Sequence, residues 1–325
     1  MLKKIFPLLL VTSISFSGFS QNTETEKQLK DKTNDTLDGW KRGGVITISY
    51  SQSSLTNWAA GGQSSQTASG LLSMFANYKK GKGLWENNLD IGYGSLKQKS
   101  VKNWWKSDDK FDFNSKYGRI ATGKLYYAAV VNFKTQMAPG YNYPNDSVII
   151  SNRLAPAYLL GAIGFDYKPN NDLSVFFAPA ASKTTIVNDQ TLADAGTGGV
   201  EAAVYDTTNG KHVLIKHGKK TKNEFGGYIR IAYKKNLLPT VTLQSKIDLF
   251  NNYLKDPQYV DVYWENLFSM KLSKYIVATI STTLIYNHSI LIGIDANNDK
   301  IITDNEKKAR VQFKEVFALG LSYKF

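Results

Sequence analysis

Residues 311–325 alternate in character along their whole length. Val311, Phe313, Phe317, Leu319, Leu321, Tyr323 and Phe325 share one parity, broken only by Glu315. Gln312, Lys314, Ala318, Gly320, Ser322 and Lys324 hold the other, with Val316 its one large apolar member. Successive side chains of an extended chain point to opposite faces, so the pattern predicts a strand with one apolar and one polar face; a helical repeat would scramble it. A strand that crosses a bilayer needs one lipid-facing residue in two over about 9–11 residues. This segment is long enough.

Eleven earlier segments follow the same rule, at 46–50, 72–78, 85–93, 111–117, 125–133, 159–167, 173–177, 225–233, 241–249, 260–272 and 276–286. The seventh is the weakest of them, because Pro179 removes a ladder donor. The links between segments give an independent test. Links 51–66, 98–108, 135–157, 183–223, 251–258 and 288–310 are long, whereas 79–83, 119–123, 168–171, 235–239 and 273–274 are short. Long and short alternate without exception. Membrane barrels have short turns at the periplasmic end and long loops outside, while a soluble antiparallel sheet has no reason to sort its links by parity. The expected fold is therefore all-β, an antiparallel transmembrane β-barrel of about twelve strands, with ten or fourteen as alternatives. An even count places both termini at the periplasmic end. Tyr50, Tyr78, Tyr93, Tyr167, Tyr233, Tyr286 and Tyr323 fall near strand ends, where an amphipathic ring sits at headgroup level.

The start of the chain changes the address. Lys3 and Lys4 precede a short apolar run, and Ser17, Gly18 and Ser20 lead to polar sequence from Gln21. Residues 1–20 read as a secretory signal peptide, residues 21–42 as a disordered periplasmic lead-in, and residues 43–325 as an outer-membrane barrel. The chain has no cysteine, so neither a disulfide nor a thiol-linked lipid is available. The formal net charge is +13, and removing Lys3 and Lys4 leaves +11. For an exported chain this balance points to anionic lipid headgroups or surface polysaccharide, not nucleic acid. Outer-membrane lipids are the expected partners, and the barrel is expected to be a monomer.

The polar faces would line the lumen, and they carry both signs. Glu86, Asp90, Asp112, Asp248, Asp261 and Glu265 stand with Lys116, Lys124, Lys134, Arg230, Lys246, Lys271 and Lys314. Such a set either pairs across the lumen and plugs it or leaves a polar pore; both readings stay open at this level.

Candidate chemistry is sparse. Asp295, Asn297, Asp299, the carbonyl of Ile301, Thr303 and Glu306 match the oxygen-ligand spacing of a calcium loop, although Lys300 occupies the position where such loops need Gly. A structural Ca2+ is expected there, and no other cofactor is required. The three histidines are His212, His217 and His288. His288 adjoins Ser289, but neighbours on a strand face opposite ways, and no Gly-x-Ser-x-Gly elbow occurs. No enzyme activity is expected. Trp104 and Trp105 suit interfacial anchoring or sugar stacking.

Several stretches resemble an uncharacterised family of Bacteroidota outer-membrane proteins, a domain-of-unknown-function family. They are Gly39-Trp-Lys-Arg-Gly-Gly44, Ser51-Gln-Ser-Ser-Leu-Thr-Asn-Trp-Ala-Ala-Gly-Gly62, Trp85-Glu-Asn-Asn-Leu-Asp-Ile-Gly-Tyr93, Asn132-Phe-Lys-Thr-Gln136, Ala138-Pro-Gly-Tyr141 and Gly320-Leu-Ser-Tyr-Lys-Phe325. The resemblance implies location and architecture and brings no activity or substrate. The working expectation is an outer-membrane channel for small solutes. The alternatives are a non-conducting barrel whose loops bind a partner or envelope polymer and, less favoured, a lipid-modifying enzyme. The terminal Phe325 is expected to mark the chain for barrel-insertion machinery, and the last strand to pair with 45–50.

Overall fold

The twelve alternating segments are twelve strands of one closed antiparallel barrel in the computed structural model. The structure describes residues 38–54, 64–98, 101, 103–206, 213–273, 275–293 and 306–325. In chain order the strands begin with β1 (Gly39–Ser53), β2 (Ser65–Lys80), β3 (Gly83–Gln98), β4 (Trp105–Thr122) and β5 (Leu125–Thr135). A small hairpin follows, β6 (Gly140–Tyr141) with β7 (Ile149–Ser151), and the wall resumes with β8 (Ala157–Tyr167) and β9 (Leu173–Ile186). The next loop holds helix α1 (Gln190–Asp194) and a second hairpin, β10 (Val204–Asp206) with β11 (Val213–Lys216). Then come β12 (Thr221–Leu238), β13 (Val241–Asn252), β14 (Val260–Lys271) and β15 (Ile276–Tyr286). A third hairpin, β16 (Leu291–Gly293) with β17 (Lys307–Ala309), precedes the last strand β18 (Gln312–Lys324).

Neighbours in the wall are neighbours in sequence, and β18 closes on β1. Val45 pairs with Lys324 and Ile48 with Leu321, as expected of the closing strand. Gly44 and Phe325 then exchange two main-chain hydrogen bonds of 3.1 and 3.0 Å. The Phe325 ring lies over Gly44, where a Cβ would force it to turn aside.

Two details depart from the expectation. The first strand starts at Gly39, not at residue 43, because Gly39 to Arg42 pair with Lys79 to Ala76. A backbone ladder needs no apolar side chain, and Gly43 and Gly44 hide the alternation there. Trp40, placed by that extension, packs on Tyr78 and Trp85 at centroid distances of 5.1 and 5.8 Å. Strand β9 also runs through Pro179 to Ile186. Pro179 lies where both ladders shift register, between Ile163 and Phe165 on β8 and between Gly226 and Tyr228 on β12. The missing N–H therefore falls in a bulge, and Gly164 leaves room for the Phe177 carbonyl. Beyond the bulge the inward parity changes: Phe176 and Ala178 are buried before it, Ala181 and Thr185 after it.

Burial follows parity, but in the sense opposite to a soluble sheet. The outward apolar residues are exposed, as at Ile48 (62%), Ile163 (70%), Phe313 (63%) and Leu321 (62%). The inner faces of β5, β8, β9, β12 and β13 instead hold a buried apolar cluster around Val130, Leu160, Phe176, Tyr228 and Phe250. A continuous exposed apolar wall around a filled interior demands an apolar solvent. Among the described residues no helix is long and apolar enough to cross a membrane, which leaves the strands to do so.

Candidate functional site

The charged inward residues of the strands meet one another, and they do so in three tiers. At the end with the short turns, Lys116 bridges Glu86 (2.9 Å) and Asp166 (2.8 Å), and Lys168 reaches Glu86 at 3.2 Å. Lys168 sits in the turn after β8, three strands from β3, so this tier already spans part of the lumen.

The middle tier crosses all of it. Arg230 on β12 holds Asp248 on β13 through two hydrogen bonds (2.6 and 3.1 Å) and donates to Asn114 on β4 at 3.0 Å. Tyr228 donates to the same carboxylate at 2.7 Å. Opposite, Glu265 on β14 takes Lys246 at 2.7 Å and the Tyr263 hydroxyl at 2.8 Å. Lys110 on β4 lies 3.9 Å from both Glu265 and Asp112. Strands β4 and β14 are diametrically opposed, six places apart in either direction round the wall. Lys134 completes the tier, 3.7 Å from Asp112 and 4.3 Å from the centre of the Tyr263 ring. Asn132 donates to Asp112 at 2.7 Å, and Ser73 donates to Asp90. Buried charges persist only when paired and hydrogen-bonded, and every carboxylate named here has such a partner. The result is a septum made of side chains.

The third tier lies at the end with the long loops. Lys183 joins Asp261 (2.7 Å) and Glu224 (3.0 Å), and Lys222 joins Glu224 (3.0 Å) and the Ser289 hydroxyl (2.8 Å). Above it the described part of the 187–220 loop packs on itself. Val187, Leu192, Ala193 and Val200 are buried with Ala155. Asp189 caps α1 through the Leu192 N–H at 3.2 Å and accepts from Asn152 at 3.1 Å, contacts that hold its carboxyl below the usual range, Asn152 first. Further out, Glu201 accepts from Lys216 (2.7 Å) and Lys219 (2.6 Å), which lower its pKa to about 2.

Below the septum a polar cavity of about 640 Å3 opens among the short turns. Lys124, Lys168, Asn170 and Lys234 line its outer part, and Asp112, Asn114 and Arg230 its inner part.

Of the charges expected in the lumen, Glu86, Asp90, Asp112, Lys116, Lys124, Arg230 and Lys246 line this cavity. Lys134, Asp248, Asp261 and Glu265 belong to the tiers above. Lys271 is exposed at the rim, and Lys314 is a peripheral member, 3.4 Å from Asp108. Lys110, Asp166, Lys183, Glu224 and the two tyrosines were not foreseen. Lys110 and Asp166 obey the strand parity and were readable from it. Lys183 was not, because the bulge at Pro179 resets the parity of everything after it.

Asp295, Asn297, Asp299, Ile301 and Thr303 lie outside the described residues, as does His212. Glu306 is half-buried beside β17, which pairs with β16. Among the described residues no group of three or more His, Cys, Asp or Glu is arranged to hold a metal. His217 bonds Asp194 at 3.0 Å, and His288 stacks on Tyr259 at 3.6 Å while Ser289 is engaged by Lys222. No serine–imidazole pair results from these contacts. Trp105 stacks on Tyr143 at 4.9 Å, so its face is occupied.

Residues 50–141 match the model of a family described as "Protein of unknown function (DUF3078)". No curated protein matches the chain. Among solved structures, the chain is similar to the outer membrane channel COG4313 from Pseudomonas putida F1, with 10% identity, 90% of this chain and 97% of that chain covered, and a TM-score of 0.40. The translocator domain of the autotransporter NalP from Neisseria meningitidis is similar at 8% identity, 92% and 93% coverage, and a TM-score of 0.39. The outer membrane channel DcaP of Acinetobacter baumannii is similar at 10% identity, 89% and 96% coverage, and a TM-score of 0.31.

Proposed function

We propose that this protein is a monomeric outer-membrane barrel that acts as a narrow, gated conduit for small polar solutes. The chain is exported behind a cleaved leader and assembled with both ends in the periplasm. The exposed apolar wall, the segregation of short turns from long loops and the leader-like first twenty residues support the location. The observation that carries the function is the middle tier. What crosses the lumen there, from Lys110 on β4 to Glu265 on β14, is side chain on both sides. Side chains change rotamer far faster than a folded plug leaves a barrel, so a closure of this kind is an openable one. Ion pairs at a constriction also set which solutes pass.

Planar-bilayer recordings of the purified protein test this reading. Small unitary steps are expected in potassium chloride; a protein that gives none in any of several salts is not a conduit.

A second reading, a non-conducting barrel whose loops hold a partner, is favoured by one observation. The loop hairpins expose apolar side chains, Ile150 at 52% and Ile215 at 66%. Silent bilayers together with capture of an envelope polymer would select it. Calcium at residues 295–306 is a separate proposal, supported by the ligand spacing. Added calcium is expected to raise the melting temperature of the wild type and not of Glu306→Ala; no shift in the wild type removes the site.

A further inference from the structure

The two ends of the barrel differ sharply in charge. The six long links, taken between strand ends (54–64, 99–104, 136–156, 187–220, 253–259 and 287–311), carry twelve cations and ten carboxylates. The five short turns, on the same bounds (81–82, 123–124, 168–172, 239–240 and 272–275), carry four cations and one carboxylate, Asp172. The last five strand residues before them add Lys79, Lys80, Arg119, Lys234, Lys235 and Lys271 against Asp166. Cations thus outnumber carboxylates by a larger ratio at the short-turn rim, and the cavity below the septum opens within that rim.

The cavity continues the asymmetry inward. Its lining holds six cations, Lys116, Lys124, Lys168, Arg230, Lys234 and Lys246, against Glu86, Asp90, Asp112 and Asp172. The carboxylates are committed within the wall: Glu86 to Lys116 and Lys168, Asp112 to Lys110, Lys134 and Asn132, and Asp90 to Ser73. Lys124 is exposed at the mouth and has no ion-pair partner among the described residues. Four of the cations are engaged as well, Lys116 and Lys168 with Glu86 and Asp166, Arg230 with Asp248 and Lys246 with Glu265. The lining is therefore positive on balance, and a cleft of net positive lining with low-dielectric walls concentrates anions.

We propose that this cavity is a binding vestibule for small multivalent anions, solutes bearing phosphate or carboxylate groups, which enter from the short-turn end. It rests on the conduit reading for its physiological meaning but not for its existence, since a vestibule binds whether or not the septum opens. Lys124 and Lys234 at the outer part would engage the anion, with Lys168, shared with Glu86 and Asp166, beside them. The charge balance of the lining limits the ligand to something small, because a bulky polyanion would meet the four carboxylates.

Phosphate chemistry has a second source here, the headgroups of surrounding lipid, and strand parity separates the two. Lys124 and Lys234 line the cavity, whereas Lys80 and Lys235 lie on the outward parity of β2 and β12 and are exposed. Calorimetric titration of inorganic pyrophosphate into the detergent-solubilised full chain therefore uses two paired variants. Lys124→Gln/Lys234→Gln is expected to weaken pyrophosphate binding on the order of tenfold at low ionic strength, where two nearby charges act with little screening. Lys80→Gln/Lys235→Gln is expected to leave it within about twofold, being screened from the cavity. The circular dichroism spectrum of each variant serves as the check on folding.

Bilayer recordings under a potassium chloride gradient supply the independent arm, with a reversal potential displaced toward chloride in the wild type and back toward zero in the inward pair. Pyrophosphate binding without conductance would keep the vestibule and discard the conduit. Conductance with no anion preference and no binding would keep the conduit and discard the vestibule. Loss of binding in the outward pair alone would assign the rim to lipid headgroups and overturn the proposal.

Discussion

Two sets of ion pairs in this molecule use the same chemistry in opposite settings. In the lumen, Asp248 is held by Arg230 at 2.6 Å and by the Tyr228 hydroxyl, and all three are enclosed by the wall. On the 187–220 loop, Glu201 lies 2.7 and 2.6 Å from two lysines, and all three side chains are about half exposed. The distances are nearly equal. Water is what separates them: the loop pairs are screened and compete with hydration, whereas a lumen charge that loses its partner has nothing to replace it. On the conduit reading the lumen set is what opens or closes the barrel, while the loop set trims a surface.

The largest effect expected from that contrast is at Asp248. Replacing it with Ala leaves Arg230, enclosed by the wall, without its carboxylate and with Asn114 as its hydrogen-bond acceptor, and should cost about 3–5 kcal/mol, the usual range for breaking a buried pair from one side. Thermal melting in detergent reads this directly, and an unchanged midpoint would mean that the lumen is as wet as the loop. The smallest effect is at Glu201. Glu201→Gln should leave the melting midpoint where it is, because its pairs face solvent. A pH dependence should still be visible locally. The lysines depress this carboxyl to about 2, so their contribution is present above the ordinary glutamate value near 4.5 and is lost as pH falls toward 2. Hydrogen exchange of the β10–β11 hairpin should lose protection over that window in the wild type and show no such step in the variant.

The wall was legible in the sequence because a barrel strand states its period in every residue. All twelve strands, their antiparallel closure and the pairing of the last with the first follow from parity and link length. The failures have physical causes as well. Gly43 and Gly44 carry no side chain to alternate, so the first strand was begun too late. Pro179 marks a bulge, and a bulge is invisible to a rule of strict alternation, so Lys183 was missed, and with it the link that joins Glu224 to the expected Asp261. The septum was half legible. Parity told which charges face inward, yet which of them meet depends on barrel diameter and rotamer. A contact such as that between Lys110 and Glu265, six strands apart, leaves no trace in local sequence.

The central claim is that side chains alone close this lumen, and one measurement addresses it: unitary conductance of the wild type against Lys110→Ser/Glu265→Ser. That pair removes one charge of each sign and so keeps the net charge of the lumen. The wild type is expected to give small steps and the variant steps several-fold larger, with the melting profile confirming that the barrel remains folded. Steps of the same size in both, or none in either, would contradict the account.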